Sequence, residues 1–172
     1  GGSDAATRRL LRATPPRWGA GSVTRRPEES IVEFSTRAVL SLDQSVLPIQ
    51  GPPGAGKTYA GARMIVELVR SGKKVGVTAT SHKVIRNLLS AVTKVPGATV
   101  SAGHLPSKKE PPAQTEGITN LEDNDKAFAA MSSGAISVLG GTAWMWARPE
   151  FAGLVDVLFV DEAGQMSLVN VV

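Results

Sequence analysis

The apolar residues of this chain fall into short blocks from about residue 46 onward. Brief apolar runs predict strands over residues 46–50, 74–78, 99–102, 135–139 and 155–160. Longer stretches with apolar residues three and four positions apart predict helices over residues 30–42, 59–70, 81–92 and 121–131. Strands that alternate with helices through short loops are typical of a doubly wound α/β domain built on a parallel sheet.

Residues 1–30 carry arginines scattered among prolines and glycines, a mixture that disfavours regular structure. The arginines are Arg8, Arg9, Arg12, Arg17, Arg25 and Arg26. We expect this segment to be a linker or the remnant of an upstream domain, either a solvated arm or a basic arm that touches nucleic acid. The folded domain is then expected over residues 31–172.

Both ends of the chain indicate a fragment. The sequence opens Gly1-Gly2-Ser3 without an initiating methionine and closes on Asn170-Val171-Val172, inside what reads as a helix with no C-capping glycine. The α/β domain is therefore expected to be incomplete. A loop rich in Pro, Lys and Glu is expected over residues 104–119.

Composition narrows the class of protein. Hydrophobic residues make up 42% of the chain and charged residues 20%, which is the balance of one globular domain with a sizeable core. The lack of cysteine excludes a disulfide framework and a thiolate metal site, and two histidines are too few for a zinc cluster. No apolar run reaches the roughly 20 residues that cross a bilayer, so a cytoplasmic location is expected. The net charge of +4 permits a phosphate-rich partner without establishing one.

The residues after the first predicted strand fit the phosphate-loop pattern, with an apolar run before them and a predicted helix after them. Backbone N–H groups of such a loop converge on phosphate oxygens at the positive end of the helix, whereas Pro52 and Pro53 lack N–H groups and only shape the loop. Lys57 is expected to span the β- and γ-phosphates, and the Thr58 hydroxyl to bind magnesium. The expected nucleotide-binding residues are Gly51, Pro52, Pro53, Gly54, Ala55, Gly56, Lys57, Thr58 and Tyr59.

Two acidic residues end the last predicted strand. Asp161 and Glu162 follow the apolar run Val157-Leu158-Phe159-Val160, the expected partner of a phosphate loop, because the metal needs a carboxylate beside the threonine. Asp161 is expected to hold magnesium, and Glu162 to orient and deprotonate the attacking water. The expected chemistry is therefore hydrolysis of a magnesium-bound nucleotide.

Three motifs together resemble a known family. The loop GPPGAGKT, the segment Val77-Thr78-Ala79-Thr80-Ser81-His82 and the segment Asp161-Glu162-Ala163-Gly164-Gln165 are similar to motifs I, Ia and II of superfamily-one helicases. The resemblance is to the nonsense-mediated-decay and senataxin-like group, which includes bacterial forms fused to a RecB-type nuclease. It covers residues 45–172 and implies a first RecA-like domain with ATP and Mg²⁺ as ligands, single-stranded DNA or RNA as track, and a second RecA-like domain as partner.

The resemblance also assigns residues to the nucleic-acid strand. Thr80, Ser81 and His82 match the family's motif Ia, which grips backbone phosphates at the start of a helix. Ser81 is equally placed to be the N-cap of that helix, and both roles are compatible. His82 stands where relatives often have asparagine. In the family the glutamine after the acidic pair couples hydrolysis to the second domain and to the strand, a role that falls on Gln165.

A second contact with the nucleic acid is expected after the predicted strand 135–139. The segment Gly140-Gly141-Thr142-Ala143-Trp144 is similar to the family's motif Ic, whose threonine touches the nucleic acid, and this makes Thr142 the candidate. Trp144 and Trp146 are either base-stacking faces or residues packed beneath a loop.

The chain departs from the family at several points. No upstream glutamine motif that reads adenine is found, because Gln44 and Gln50 lie too close to the phosphate loop, and the insertion after motif Ia is reduced at most to residues 96–119. Motifs III to VI are absent, and with them the arginines that stabilise transition-state charge. In the family these arginines raise the turnover rate by about three to five powers of ten. The expected function is the ATP-binding lobe of a helicase or translocase, nearly inactive by itself. The alternatives are a small-molecule phosphotransferase and a regulatory ATP-binding module.

Overall fold

The computed structural model describes residues 2–107 and 114–166. Its helices are α1 (Gly2–Leu11), α2 (Ile31–Ser41), α3 (Lys57–Arg70), α4 (His82–Thr93), α5 (Asn124–Ser133) and α6 (Ala143–Trp146). Its strands are β1 (Val75–Thr78), β2 (Ala102–His104), β3 (Ile118–Asn120), β4 (Val138–Gly140) and β5 (Val157–Val160). Single turns of 3₁₀ helix lie at Pro149–Phe151 and Ala163–Gln165. No helix within these residues has both the length and the apolar character needed to cross a membrane.

The five described strands form one parallel sheet in the order β3-β2-β4-β1-β5. In this order β1 lies between β4 and β5, so Val75 stands opposite Val138 on one side and Val157 on the other. The carboxyl ends of the strands therefore meet at one edge of the sheet, which we call the carboxyl edge. This confirms the prediction of an α/β domain with a parallel sheet flanked by helices.

Helices cover both faces of the sheet. On one face, α3 and α4 pack against β1 and β4, and Ile65, Val75, Val77, Ile85 and Leu89 are fully buried there. On the other face a second cluster includes Leu121, Ala127, Met131, Leu139 and Phe151. Val138 belongs to the first cluster and Leu139 to the second, as expected for successive side chains of one strand.

Local signals in the sequence fix the helix boundaries. Ser30 and Glu33 form a capping box at the start of α2, with Glu33 N 3.2 Å from Ser30 Oγ and Ser30 N 2.8 Å from Glu33 Oε2. Helix α3 ends at Arg70 and is followed by Gly72, whose φ of 81° turns the chain toward β1. The helices predicted over 30–42 and 59–70 are thereby confirmed, although α3 already begins at Lys57.

The strand predicted over residues 46–50 is wrong, because no strand forms there. Pro48 has no N–H to donate to a strand ladder, and both sides of β1 are taken by β4 and β5. Leu47 packs against the hydrophobic cluster that α3 and α4 form with the sheet, whereas Ile49 is 48% exposed. The chain thus enters the phosphate loop through an irregular segment.

Other boundaries also differ from the sequence pattern. β2 begins at Ala102, where the strand predicted over 99–102 ends, and β3 begins inside the expected loop 104–119. The three residues of β3 are too few to show the alternation of apolar and polar side chains that predicts a strand. Helices α1 and α6 are not predicted from the sequence. The helix α1 lies within residues 1–30, where the mixture of arginine, proline and glycine is expected to disfavour regular structure. The helix expected around Asn170 and residues 108–113 of the expected loop lie outside the described residues.

The N-terminal segment contacts the domain through its arginines. Arg9 Nε donates to Ser45 Oγ at 3.0 Å, and Arg17 pairs with Asp43 at 2.9 Å. Trp18 forms an isolated antiparallel bridge with the residue that follows α2. Arg25 Nε also donates to Glu29 O at 2.8 Å, so the side chains of Arg9, Arg17 and Arg25 all have partners within the chain.

Candidate functional site

The predicted site residues gather at the carboxyl edge of the sheet. β1 is followed there by Thr80 and Ser81, β4 by Thr142, and β5 by Asp161 and Glu162. The phosphate loop reaches the same edge, because α3 packs on β1 and ends just before β1 begins, so its N-terminus lies toward the carboxyl ends of the strands. The loop, the acids and the hydroxyls are thus brought to one side of the molecule.

The phosphate loop has the backbone that an anion cradle requires. Gly54 and Gly56 have φ values of 78° and 77°, a conformation that residues with a Cβ rarely adopt. Gly56 is the N-cap of α3, and the N–H groups of Lys57, Thr58 and Tyr59 in the first turn have no carbonyl four residues earlier in the helix. These exposed N–H groups, at the positive end of a 14-residue helix, favour an anion.

The Lys57 side chain folds back onto the loop. Its Nζ donates to the carbonyl oxygens of Gly51 at 2.7 Å and Pro52 at 2.9 Å. The Pro52 carbonyl also accepts from Ala55 N at 3.2 Å, so this proline shapes the turn without donating. A phosphate offers the ammonium a charged acceptor, which binds more strongly than neutral carbonyls. The donors of residues 51–59 therefore fit the phosphates of a nucleotide.

Asp161 and Glu162 are held at the end of β5 by short contacts. Asp161 N donates to Thr78 O at 2.9 Å, and Glu162 N donates to Asp161 Oδ1 at 2.9 Å. Glu162 has φ 52° and ψ 35°, a left-handed conformation that non-glycine residues seldom take. Its Oε2 accepts a hydrogen bond from Thr80 Oγ1 at 3.1 Å. Strained backbone of this kind concentrates at functional sites.

The magnesium ligands expected from the sequence are one hydroxyl and one carboxylate. Thr58 is exposed, and Asp161 is half-buried with its Oδ1 accepting from Glu162 N. Across residues 2–107 and 114–166, no group of three acidic, histidine or cysteine side chains is placed to hold a metal ion. This donor set fits magnesium, which usually takes one or two carboxylates and fills its other positions with phosphate oxygens and water.

Ser81 and Thr142 occupy the N-cap positions of α4 and α6, two of the helices that start at the carboxyl edge. Ser81 Oγ accepts from Val84 N at 3.3 Å, which confirms its expected capping role. The Thr142 hydroxyl makes no capping bond to α6. Gln165 is exposed in the 3₁₀ turn after the acids, and its N–H donates to Glu162 O at 2.8 Å.

The two tryptophans after Thr142 have different environments. Trp146 is half-buried, meets Phe151 edge-on and donates its Nε1–H to Val77 O at 3.3 Å. Trp144 is 80% exposed. Packing is therefore the role of Trp146, whereas Trp144 presents an open indole face.

A buried polar cluster beside these residues has no counterpart in the sequence analysis. His104, at the end of β2, has its Nε2 at 3.1 Å from His82 Nδ1, and its Nδ1 accepts from Arg86 at 2.7 Å. Arg86 also donates to Asn120 Oδ1 at 2.7 Å. Burial, helped by the charges of Arg86 and His82, lowers the pKa of His104 from 6.5 to about 3. The sequence carries no signal for this cluster, because it forms only when α4 packs against β2 and β3.

A comparison with known families agrees with this geometry. The family model described as an AAA domain matches residues 35–171, which is most of the chain. No curated protein and no solved structure matches the chain. The matched range contains the phosphate loop before a helix and the acid pair after a strand, which is the arrangement of a P-loop NTPase. The chain therefore belongs to the AAA-domain family of P-loop NTPases.

Proposed function

We propose that this chain is the ATP-binding lobe of a helicase or translocase that couples ATP hydrolysis to movement on single-stranded DNA or RNA. The observation that carries the proposal is the hydrogen bond of 3.1 Å from the Thr80 hydroxyl to Glu162. It joins a residue expected to touch nucleic acid to the residue expected to activate water. Such a link suits an enzyme whose nucleic-acid and nucleotide sites communicate.

The phosphate loop binds the triphosphate of ATP in this proposal. N–H groups of Gly54 and of residues 56–59 donate to phosphate oxygens, and Lys57 exchanges the loop carbonyls for the β- and γ-phosphates. Thr58 and Asp161 hold a magnesium ion, whose charge offsets that of the phosphates. These residues position the γ-phosphate beside the end of β5.

Glu162 takes the proton of the attacking water. The water oxygen bonds to the γ-phosphorus, the bond from that phosphorus to the bridging oxygen breaks, and ADP leaves with the electron pair. Gln165 follows Glu162 by one 3₁₀ turn and transmits the change to the second RecA-like lobe. Arginines of that lobe complete the site.

Tyr59 is the proposed platform for the base of the nucleotide. Its side chain is 55% exposed, and the Arg63 guanidinium lies over one face at 3.4 Å from the ring centroid. Because Tyr59 follows Thr58 directly in the first turn of α3, its ring stands beside the phosphate cradle. Stacking on an aromatic face tolerates any base, so this contact supplies affinity without selecting adenine.

The nucleic acid crosses the carboxyl edge over Thr80, Ser81, His82 and Thr142 in this proposal. Hydroxyl and N–H groups at the starts of α4 and α6 donate to backbone phosphates, which carry no sequence information. The open face of Trp144 stacks on a base. Recognition is therefore independent of base sequence.

We place the lobe in the nonsense-mediated-decay and senataxin-like group of superfamily-one helicases, because motifs I, Ia and II occur in order along the chain. Residues 31–172 then form the first part of a RecA-like domain, and residues 1–30 a linker or the remnant of an upstream domain. Its partners are the second RecA-like lobe and, if the protein is of the fused bacterial form, a RecB-type nuclease.

ATP turnover tests the proposal, measured on the protein that carries this lobe together with its second lobe, with and without single-stranded DNA or RNA. We expect one strand type to raise turnover and Lys57→Ala to lower it about 10²- to 10³-fold, the usual cost of losing one donor to developing charge. Lys73→Ala, which changes an exposed lysine at the other end of α3, is the matched control. Turnover indifferent to both strands would instead favour a phosphotransferase or a regulatory module.

A further inference from the structure

The buried polar cluster joins the start of α4 to the carboxyl ends of two strands. His82 is the first residue of α4, and Arg86 lies one turn later in the same helix. His104 ends β2, and Asn120 ends the neighbouring strand β3. Both ring nitrogens of the buried His104 have partners, Arg86 at 2.7 Å and His82 at 3.1 Å. These contacts decide where the protons of the two imidazole rings lie.

Arg86 fixes the proton of His104, because a guanidinium donates hydrogen bonds but cannot accept them. Arg86 Nη2 has two hydrogens, of which one meets His104 Nδ1 and the other meets Asn120 Oδ1, each at 2.7 Å. A charged imidazolium, or a neutral ring with its proton on Nδ1, would turn an N–H group toward this donor. The form of His104 that fits is therefore the neutral ring with its proton on Nε2. The lowered pKa of His104, about 3, agrees with a neutral ring.

The proton of His104 in turn fixes the proton of His82. His104 Nε2–H meets His82 Nδ1 at 3.1 Å, so His82 Nδ1 is an acceptor and carries no proton. A neutral imidazole without a proton on Nδ1 carries it on Nε2, on the far side of the ring. The first turn of a 12-residue helix also disfavours a positive charge at His82. Arg86, His104 and His82 thus form a chain of donors, which we call the donor relay.

We propose that Arg86 and His104 are positioning residues that hold His82 in its neutral Nε2–H form, in which it donates a hydrogen bond to a backbone phosphate of the nucleic acid. The inference rests on the proposed function, which lays the strand over Thr80, Ser81 and His82. It adds the two residues behind the strand that prepare one of these contacts. Because the donor is neutral, the affinity that it contributes should not depend on salt.

Nitrogen NMR tests the donor relay without any ligand. The protein that carries this lobe together with its second lobe is labelled with ¹⁵N in its histidines and measured at about pH 7.5, above the ordinary pKa of histidine. His82→Asn and His104→Gln assign the signals. We expect both rings in the Nε2–H form and a coupling across the hydrogen bond between His104 Nε2 and His82 Nδ1. A proton on Nδ1 of either ring, or the absence of this coupling, would overturn the proposal.

A double-mutant cycle on strand affinity tests the contact with nucleic acid. Binding of a fluorescent single-stranded oligonucleotide is followed by anisotropy in wild type, His82→Ala, His104→Leu and the double variant. We expect each single substitution to weaken binding about two- to tenfold, the usual range for one hydrogen bond. The double variant should bind no more weakly than His82→Ala, because His104 acts through His82. Additive losses would overturn the proposal.

Two matched variants separate positioning from a general loss of structure. His104→Gln keeps an acceptor for Arg86 and a donor for His82, so it should retain wild-type affinity. A loss in His104→Gln as large as in His104→Leu would contradict the donor relay. Asn87→Ala changes an exposed side chain of the same helix and should leave affinity unchanged.

The failure of the inference can be told from the failure of the proposed function. If wild type and His82→Ala bind the oligonucleotide equally well, the contact from His82 is overturned and the proposed function stands. If wild type does not bind at all, the proposed function and this contact both fail. The nitrogen coupling needs neither a ligand nor His104→Leu, so it still decides whether Arg86 and His104 fix the proton of His82.

Discussion

At the scale of the single residue, two polar side chains buried in the described part of the chain are in opposite situations. His104 is 1% exposed and has Arg86 and His82 as partners. Thr78 is 2% exposed, and within the described residues its hydroxyl has no hydrogen-bond partner. A buried polar group without a partner costs about 1–3 kcal/mol. Packing alone would therefore favour an apolar residue at Thr78.

Replacing Thr78 by valine is expected to stabilise the fold. Valine has nearly the same shape and removes the unpaired hydroxyl, so the free energy of unfolding should rise by about 1 kcal/mol. Urea unfolding of the variant and the wild type measures the difference. The exposed Thr119→Val serves as control and should stay within about 0.5 kcal/mol of wild type. A destabilised Thr78→Val would mean that the hydroxyl has a partner.

The buried histidine predicts a loss of stability in mild acid. The unfolded chain protonates His104 at its ordinary pKa of 6.5, whereas the folded chain does so only at its lowered pKa of about 3. The unfolded state therefore binds more protons between these values. The free energy of unfolding is unaffected above pH 6.5 and falls below it by up to about 1.4 kcal/mol per pH unit.

Urea unfolding between about pH 7.5 and 5 measures this slope before most carboxylates titrate. His104→Gln keeps an acceptor for Arg86 and a donor for His82 but does not titrate, so its slope should be much smaller. His82→Asn is the matched control for the other histidine. A wild-type slope that persists in His104→Gln would place its origin elsewhere.

At the scale of the element, sequence pattern succeeds where one short segment carries the whole signal. The capping box of Ser30 and Glu33 and the N-cap Ser81 fix where α2 and α4 begin. The residues of the phosphate loop follow one another in the sequence, and so do the two acids. Residue type and order therefore suffice to locate each of these two motifs. Periodicity fails over residues 46–50, because the apolar run is interrupted by Pro48, which has no N–H to donate to a strand ladder.

The relation between the elements could not be read from the sequence. Thr80 meets Glu162 only because β1 and β5 are neighbours, and the order β3-β2-β4-β1-β5 has no local signature. The same holds for His104, which reaches His82 and Arg86 across the face of the sheet. Long-range pairing therefore decides the parts of the site that spacing leaves open.

The packing of α4 on β4 predicts different effects for two glycines. An alanine Cβ at Gly140 would lie 2.6 Å from Ile85 Cγ2 and 2.7 Å from Leu89 Cδ1, so Gly140→Ala should lower the free energy of unfolding by about 1–3 kcal/mol. At Gly61, inside α3, the nearest atom is Leu88 Cδ1 at 3.7 Å. Gly61→Ala should raise stability by up to about 1 kcal/mol. Urea unfolding compares the two, and equal effects would contradict the close helix-to-strand contact.

At the scale of the whole molecule, the proposed nucleic-acid contacts contain few cations. Thr80, Ser81 and Thr142 are neutral, and the exposed Lys83 is the lysine nearest to Thr80 and Ser81 along the chain. Of the net charge of +4, residues 1–30 contribute +3, with six arginines against Asp4, Glu28 and Glu29, so the rest of the chain is nearly neutral. Binding through hydroxyls and N–H groups releases few counterions, so affinity should depend weakly on salt.

The salt dependence of oligonucleotide affinity checks this arrangement. Each phosphate neutralised by a cation contributes about −0.7 to the slope of log affinity against log salt for single strands. We expect a slope between about −0.7 and −1.4 that Lys83→Ala makes shallower by about 0.7. Arg12→Ala, in the N-terminal segment, should leave it unchanged. A slope much steeper than this would show that the N-terminal arginines carry the binding.

The position of β5 affects how easily the acid pair is displaced. Among the described strands β5 is at an edge of the sheet and pairs with β1 alone, while β1 has two neighbours. A strand with one partner opens locally more readily than one with two. Within the described residues, the backbone that carries Asp161 and Glu162 is therefore held to the sheet through β1, and Asp161 N continues this pairing by donating to Thr78 O at 2.9 Å. A substitution in β1 can for that reason change the placement of the acid pair without touching either acid.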